Sequence, residues 1–127
     1  MRRYKVSITT DGSGNATAYT PRIAGRIHSL QYIKDGGANP FANGVDFTVT
    51  AEATGESIWA QNDVNASTVI YPRAATHSQA GVALLYAASG TAVTDKIGLA
   101  SDRVKIAIAQ GGAAKVGVVH VIIDDAR

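Results

Sequence analysis

Two neighbouring segments near the end of this chain constrain its fold more than any others. Val104, Ile106 and Ile108 alternate with Lys105 and Ala107, the period of a strand with one buried face. Residues 116–123 are apolar at nearly every position, as expected of a strand covered on both faces. Gln110-Gly-Gly-Ala-Ala-Lys115 between them supplies turn chemistry, so the pair reads as a hairpin. Two explanations of 116–123 stand side by side: a central strand of the core, or a sheet face covered by another subunit.

The same period recurs upstream. Tyr4, Val6 and Ile8 alternate with Lys5, Ser7 and Thr9, and Asp11-Gly-Ser-Gly-Asn15 reads as a plain hairpin turn. Residues 22–33 read as a long strand, bulged near Gly25. Ile23, Gly25, Ile27, Ser29, Gln31 and Ile33 lie on one face; Arg26, His28, Leu30 and Tyr32 lie on the other. Phe47, Val49 and Ala51 oppose Thr48, Thr50 and Glu52, and Thr54-Gly55 turns this strand into Glu56-Ser-Ile-Trp-Ala60 as a hairpin. Residues 67–71 form a short strand stopped by Pro72. Residues 80–88 fit a short helix or a buried strand by period, and the glycines around them favour strand and loop. Roughly seven to nine short strands separated by turns predict an all-β fold, an antiparallel β-sandwich of jelly-roll-like form. Residues 1–127 are expected to make one such domain.

Composition narrows the chemistry. The chain has no cysteine, which excludes a disulfide scaffold, a thiolate metal site and a cysteine nucleophile. The basic N-terminus runs straight into a strand pattern with no apolar h-region, so no signal peptide is expected. No run is apolar for long enough to span a membrane as a helix. The net charge of +2 is too small to suggest nucleic acid, yet it is unevenly spread. Residues 1–34 carry +5 and the remainder −3. That block is either a solvated strand face or a basic face meeting an acidic partner or another copy of the chain.

No set of residues predicts catalysis, and no metal or other cofactor is expected. His28, His77 and His120 have no metal-ligand spacing. His28 reads as a solvent-facing strand residue, and His120 as a core histidine bonded to a backbone carbonyl. Residues 11–22 fail as a calcium loop, because Ala16 and Arg22 stand where glycine and glutamate are needed. Residues 110–115 lack the ending of a phosphate loop, and no Gly-x-Ser-x-Gly occurs. Trp59 is either a core anchor or a ligand platform. Tyr71 and Arg73 flank Pro72 where a strand ends, residue types that anchor interfaces, although Pro72 alone explains the stop. With Arg2 and Arg3 from the basic block, they are the candidate interface residues.

Gly25-Arg-Ile-His-Ser-Leu-Gln-Tyr-Ile-Lys-Asp35, Val45-Asp-Phe-Thr-Val-Thr-Ala-Glu52, Val69-Ile-Tyr-Pro-Arg73 and Val104-Lys-Ile-Ala-Ile-Ala-Gln-Gly-Gly112 together resemble small virion structural proteins of tailed bacteriophages. The resemblance runs from about residue 22 to 123 and is one of strand pattern and phrase. It implies a non-enzymatic head decoration (cement) protein, made in the host cytoplasm and carried on the virion. Its implied partners are the major capsid protein or another virion protein, and further copies of itself as a dimer or trimer. A carbohydrate- or receptor-binding sandwich on a virion or cell surface is the alternative.

Overall fold

The computed structural model describes residues 1–125. It contains ten strands and no helix among them: β1 (Arg2–Thr9), β2 (Ala16–Tyr19), β3 (Ile23–Lys34), β4 (Asp46–Ala51), β5 (Ser57–Gln61), β6 (Thr68–Ile70), β7 (Arg73–Ala75), β8 (Thr94–Asp102), β9 (Val104–Ala109) and β10 (Val116–Asp124). Pro72 has no N–H to donate. It divides the strand expected at 67–71 from a second short one, which raises the count.

The strands form two antiparallel sheets packed face to face. The larger has the order β1-β10-β3-β8-β7, with β6 also on β3; the smaller has the order β2-β9-β4-β5. Partners are nested along the chain: β1 pairs β10, β2 pairs β9, β3 pairs β8 and β4 pairs β5. One long antiparallel ribbon thus wraps around a single core, the jelly-roll arrangement, with β6 and β7 added between its fifth and sixth strands.

Nesting corrects the reading of the glycine-rich turns. β9 and β10 belong to different sheets, so they are not a hairpin: residues 110–115 carry the chain across the sandwich. Gln110, Gly112 and Ala114 take positive φ to make that crossing. The β1–β2 turn crosses beside it. Asp11 Oδ1 accepts from Ser13 and Asn15 N–H, the Ala114 N–H donates to the Asp11 carbonyl, and Gly111 N–H donates to Gly14. Thr10 ties the two turns together, donating to the Gly112 carbonyl and accepting from Lys115 N–H. The β4–β5 pair is the hairpin its sequence predicts.

The core lies between the sheets and is aromatic at one end. Tyr32 stacks on Phe41 (5.9 Å, 13°) and meets Phe47 at 4.7 Å. Gly117 faces this cluster with no side chain, and Phe41 fills the space. β10 runs between β1 and β3, sending Gly117, Val119, Val121 and Ile123 into the core. Its outward residues Val118 and His120 are half-buried between their neighbours.

β3 departs from a uniform alternation. Its register against β8 shifts between Ile23 and Gly25, the bulge read from the sequence. A second shift, opposite Ile122 and Ile123, leaves His28 as an extra residue. The faces therefore exchange: Ile23 and Ile27 point inward before it, Leu30 and Tyr32 after it. Gln31 and Ile33 face outward, contrary to the simple period-2 reading.

Candidate interaction surface

The far edge of β3 is shared. β8 pairs with it only from Ile23 to Ile27, and β6 takes over from Leu30 to Tyr32. Residues Thr94–Lys96 of β8 consequently have β7 as their strand partner, and the chain between β7 and β8 leaves the sandwich as an arm. Every residue from 77 to 91 is exposed. At 80–88 the helix and the buried strand are both replaced by an exposed, turn-rich loop, so of the favoured strand-and-loop reading the loop stands and the strand is reduced to isolated bridges.

The arm is built from its own backbone bonds. Leu84 N–H donates to Thr76, Val93 N–H donates to Leu84, and Thr76 N–H donates to Val93. Two tight turns close on this centre: Ser78 accepts from Gly81 and Val82, and Ala87 accepts from Gly90. Internally bonded as it is, the arm still exposes large apolar side chains: Val82 (64%), Leu84 (45%), Leu85 (44%) and Tyr86 (76%). No Asp, Glu, Lys or Arg occurs between Arg73 and Asp95. That charge-free run was the signal available in the sequence, and a search for catalytic motifs passes over it.

The four candidate interface residues fall in different places. Tyr71 and Arg73 come together at His28. The Tyr71 ring meets the imidazole edge-on at 5.9 Å, and Arg73 Nη1 donates to the His28 carbonyl (3.1 Å) and to Pro72 (2.7 Å). Arg3 stands on the outer face of the larger sheet and donates to Gln31 Oε1 (3.3 Å) across β10. Arg2 points to the other side of β1, pairs with Asp125 (3.2 Å), and lines a polar cleft with Tyr4, Arg22 and Ala24. The structure gathers two of the four, leaves Arg3 on the same outer face, and separates Arg2.

The remaining polar groups hold the fold. His28 is half-buried, with Nδ1 3.1 Å from Ser29 Oγ. His120 is not the carbonyl-bonded core residue expected, since it lies on the outer side of β10 and its buried Nδ1 has no partner among the described residues. Burial, then the charges of Arg3 and Lys5, hold its pKa below the ordinary histidine value. Arg103 grips Glu52 through two nitrogens and lies 4.2 Å over the Tyr19 ring. Trp59 is half-buried on Phe47 (5.1 Å), and its Nε1 donates to Gln61. Trp59 packs on Phe47 and the Tyr19 ring lies under Arg103, whereas Tyr71 (59%) and Tyr86 (76%) are the most exposed tyrosine rings. Among the described residues, no three His, Asp or Glu side chains converge to hold a metal ion, and no helix is long and apolar enough to cross a membrane.

No protein-family model and no curated protein matches the chain. Among solved structures it is similar to the crystal structure of FLHE, at 10% identity over 94% of each chain with a TM-score of 0.41. Likeness at that level carries no argument about function. What the chain does must be read from its own surface.

Proposed function

We propose that this protein is a non-enzymatic structural component of a tailed-bacteriophage virion, a head decoration protein that binds the major capsid protein as a homo-oligomer. The observation that carries the reading is the arm. A domain that builds an uncharged, internally bonded loop and keeps its Leu, Val and Tyr side chains in water is made to be covered by another protein. The sandwich supplies a rigid base for it. The outer face of the larger sheet adds exposed Arg3 and Lys5, which favour an acidic partner surface. The sequence resemblance to virion proteins supplies the setting.

Mass spectrometry of purified particles of the encoding phage tests this directly. The expected result is the protein in a fixed stoichiometry to the capsid protein; particles lacking it overturn the proposal. The glycan-binding alternative predicts retention on a glycan array, and gains little from a tryptophan that leans on Phe47.

A further inference from the structure

We infer that the arm is covered by a second copy of this chain, seated on the patch formed by Ile33, Val69 and Tyr71. The inference rests on the assembly reading above and names the partner of the same surface. Apart from Met1 and Tyr19, whose ring lies under Arg103, the exposed large apolar residues fall into two groups. One is the arm. The other is Ile33 (44%), Val69 (49%) and Tyr71 (59%). Val69 pairs with Gln31 on the outer side of β3, two residues from Ile33, and Tyr71 follows two residues later at the foot of the arm. Val69 and Tyr71 thus lie on the same stretch of chain as the arm's root, with Ile33 beside them on β3.

Area and self-complementarity together favour a second copy. The arm's four large side chains expose on the order of 400 Å², about half of what each partner contributes to a stable interface. Arm and patch together expose roughly 700 Å², close to that requirement. A contact in which each copy gives its arm and receives another's on its patch uses both surfaces at once. Its chemistry matches too, because apolar meets apolar and no charge of the arm is left unpaired.

The absence of cysteine makes the seam easy to map, since any introduced thiol is unique. Tyr86→Cys and Val69→Cys are prepared separately, mixed, and treated with a short bismaleimide. The expected product is a two-chain species in the mixture that neither variant gives alone. Cross-linking of Tyr86→Cys to itself, or a wild-type mass of one chain at all concentrations, overturns the inference. L84D/Y86D changes exposed positions only, so its thermal midpoint should stay that of a folded domain while association weakens by at least ~30-fold. Unchanged association in this variant also overturns the seam. The two readings fail separately: a monomer that still decorates particles defeats the seam and the homo-oligomer but leaves the virion role standing, and an oligomer absent from particles defeats the virion role alone.

Discussion

Substituting Gly117 with alanine adds a single methyl group at a point where the structure has no room for it. The new Cβ would stand 2.5 Å from Phe41 Cε2, 2.9 Å from Cζ and 3.0 Å from Cδ2. Ordinary carbon contacts lie at about 3.5–4.0 Å, so the ring must retreat by roughly 1 Å. It has nowhere to go: Phe41 is 2% exposed, stacked on Tyr32 and set edge-on against Phe47 at 6.2 Å. Overpacking of this kind costs about 1–3 kcal/mol, and the rigid aromatic stack places G117A toward the upper part of that range. Alanine's lower backbone entropy returns ~0.5 kcal/mol, leaving a net loss of about 2 kcal/mol. Urea unfolding followed through Trp59, the sole tryptophan, should show a midpoint lower by roughly 1 M at unchanged m. The cause is isolated by repeating the change in F41L, where the shorter side chain vacates the clash. There G117A should be neutral or slightly stabilising, a coupling of at least ~1.5 kcal/mol. An unaltered midpoint for G117A, or the same loss in both backgrounds, refutes the packing argument.

Three further outcomes follow from the polar groups. Asp102 is 7% exposed and accepts from the N–H groups of Ala53 (3.2 Å) and Arg103 (2.8 Å). D102A strands both donors and should lower stability by about 1–3 kcal/mol in denaturant unfolding, with D102N losing less. Asp11 and Glu52 are both held below their ordinary values of 3.8 and 4.5, Asp11 by the Asn15 and Ser13 N–H groups and Glu52 by Arg103. Their contribution is present above those values and is lost as pH falls through the depressed ones. The thermal midpoint should therefore drop below about pH 4.5, and less steeply in a D11N/E52Q variant. His120 is also depressed, first by burial and then by Arg3 and Lys5. Stability should decline as pH falls below the ordinary 6.5 toward the folded value. H120L should flatten that slope; an NMR titration placing His120 at or above 6.5 would count against its burial.

Much of the fold was legible because its strands alternate cleanly. Phe47, Val49 and Ala51 point inward as their spacing predicts, and Thr54-Gly55 makes the expected hairpin. Period alone could not show which strands pair. Val104–Ala109 and Val116–Asp124 look like a hairpin because a glycine-rich turn joins them, but the same positive-φ residues also serve a crossing between sheets. The extra residue at His28 was hidden as well, since a bulge reverses the faces without changing composition. The arm escaped for a different reason. Its Ala-, Leu- and Tyr-rich sequence has the character of a core segment, and burial is what such residues imply. Only the sharing of the β3 edge by β6 and β8 leaves that segment outside the sandwich.

The nested pairing also dictates an order of assembly. Ile27 and Ile97 pair across 70 positions of chain, and Arg2 and Ile123 across 121. Closing either loop from an open chain carries a large entropic cost with little local reward. The β4–β5 hairpin closes over a few residues, and once β9 adds to β4 the remaining ends are brought near each other. Each pair already formed shortens the free chain that the next one must close. Folding should thus proceed from the middle of the sequence outward, with β1 and β10 the last to zip and the first to open. Hydrogen exchange should find its slowest amides in β4 and β9, and progressively faster ones along β1.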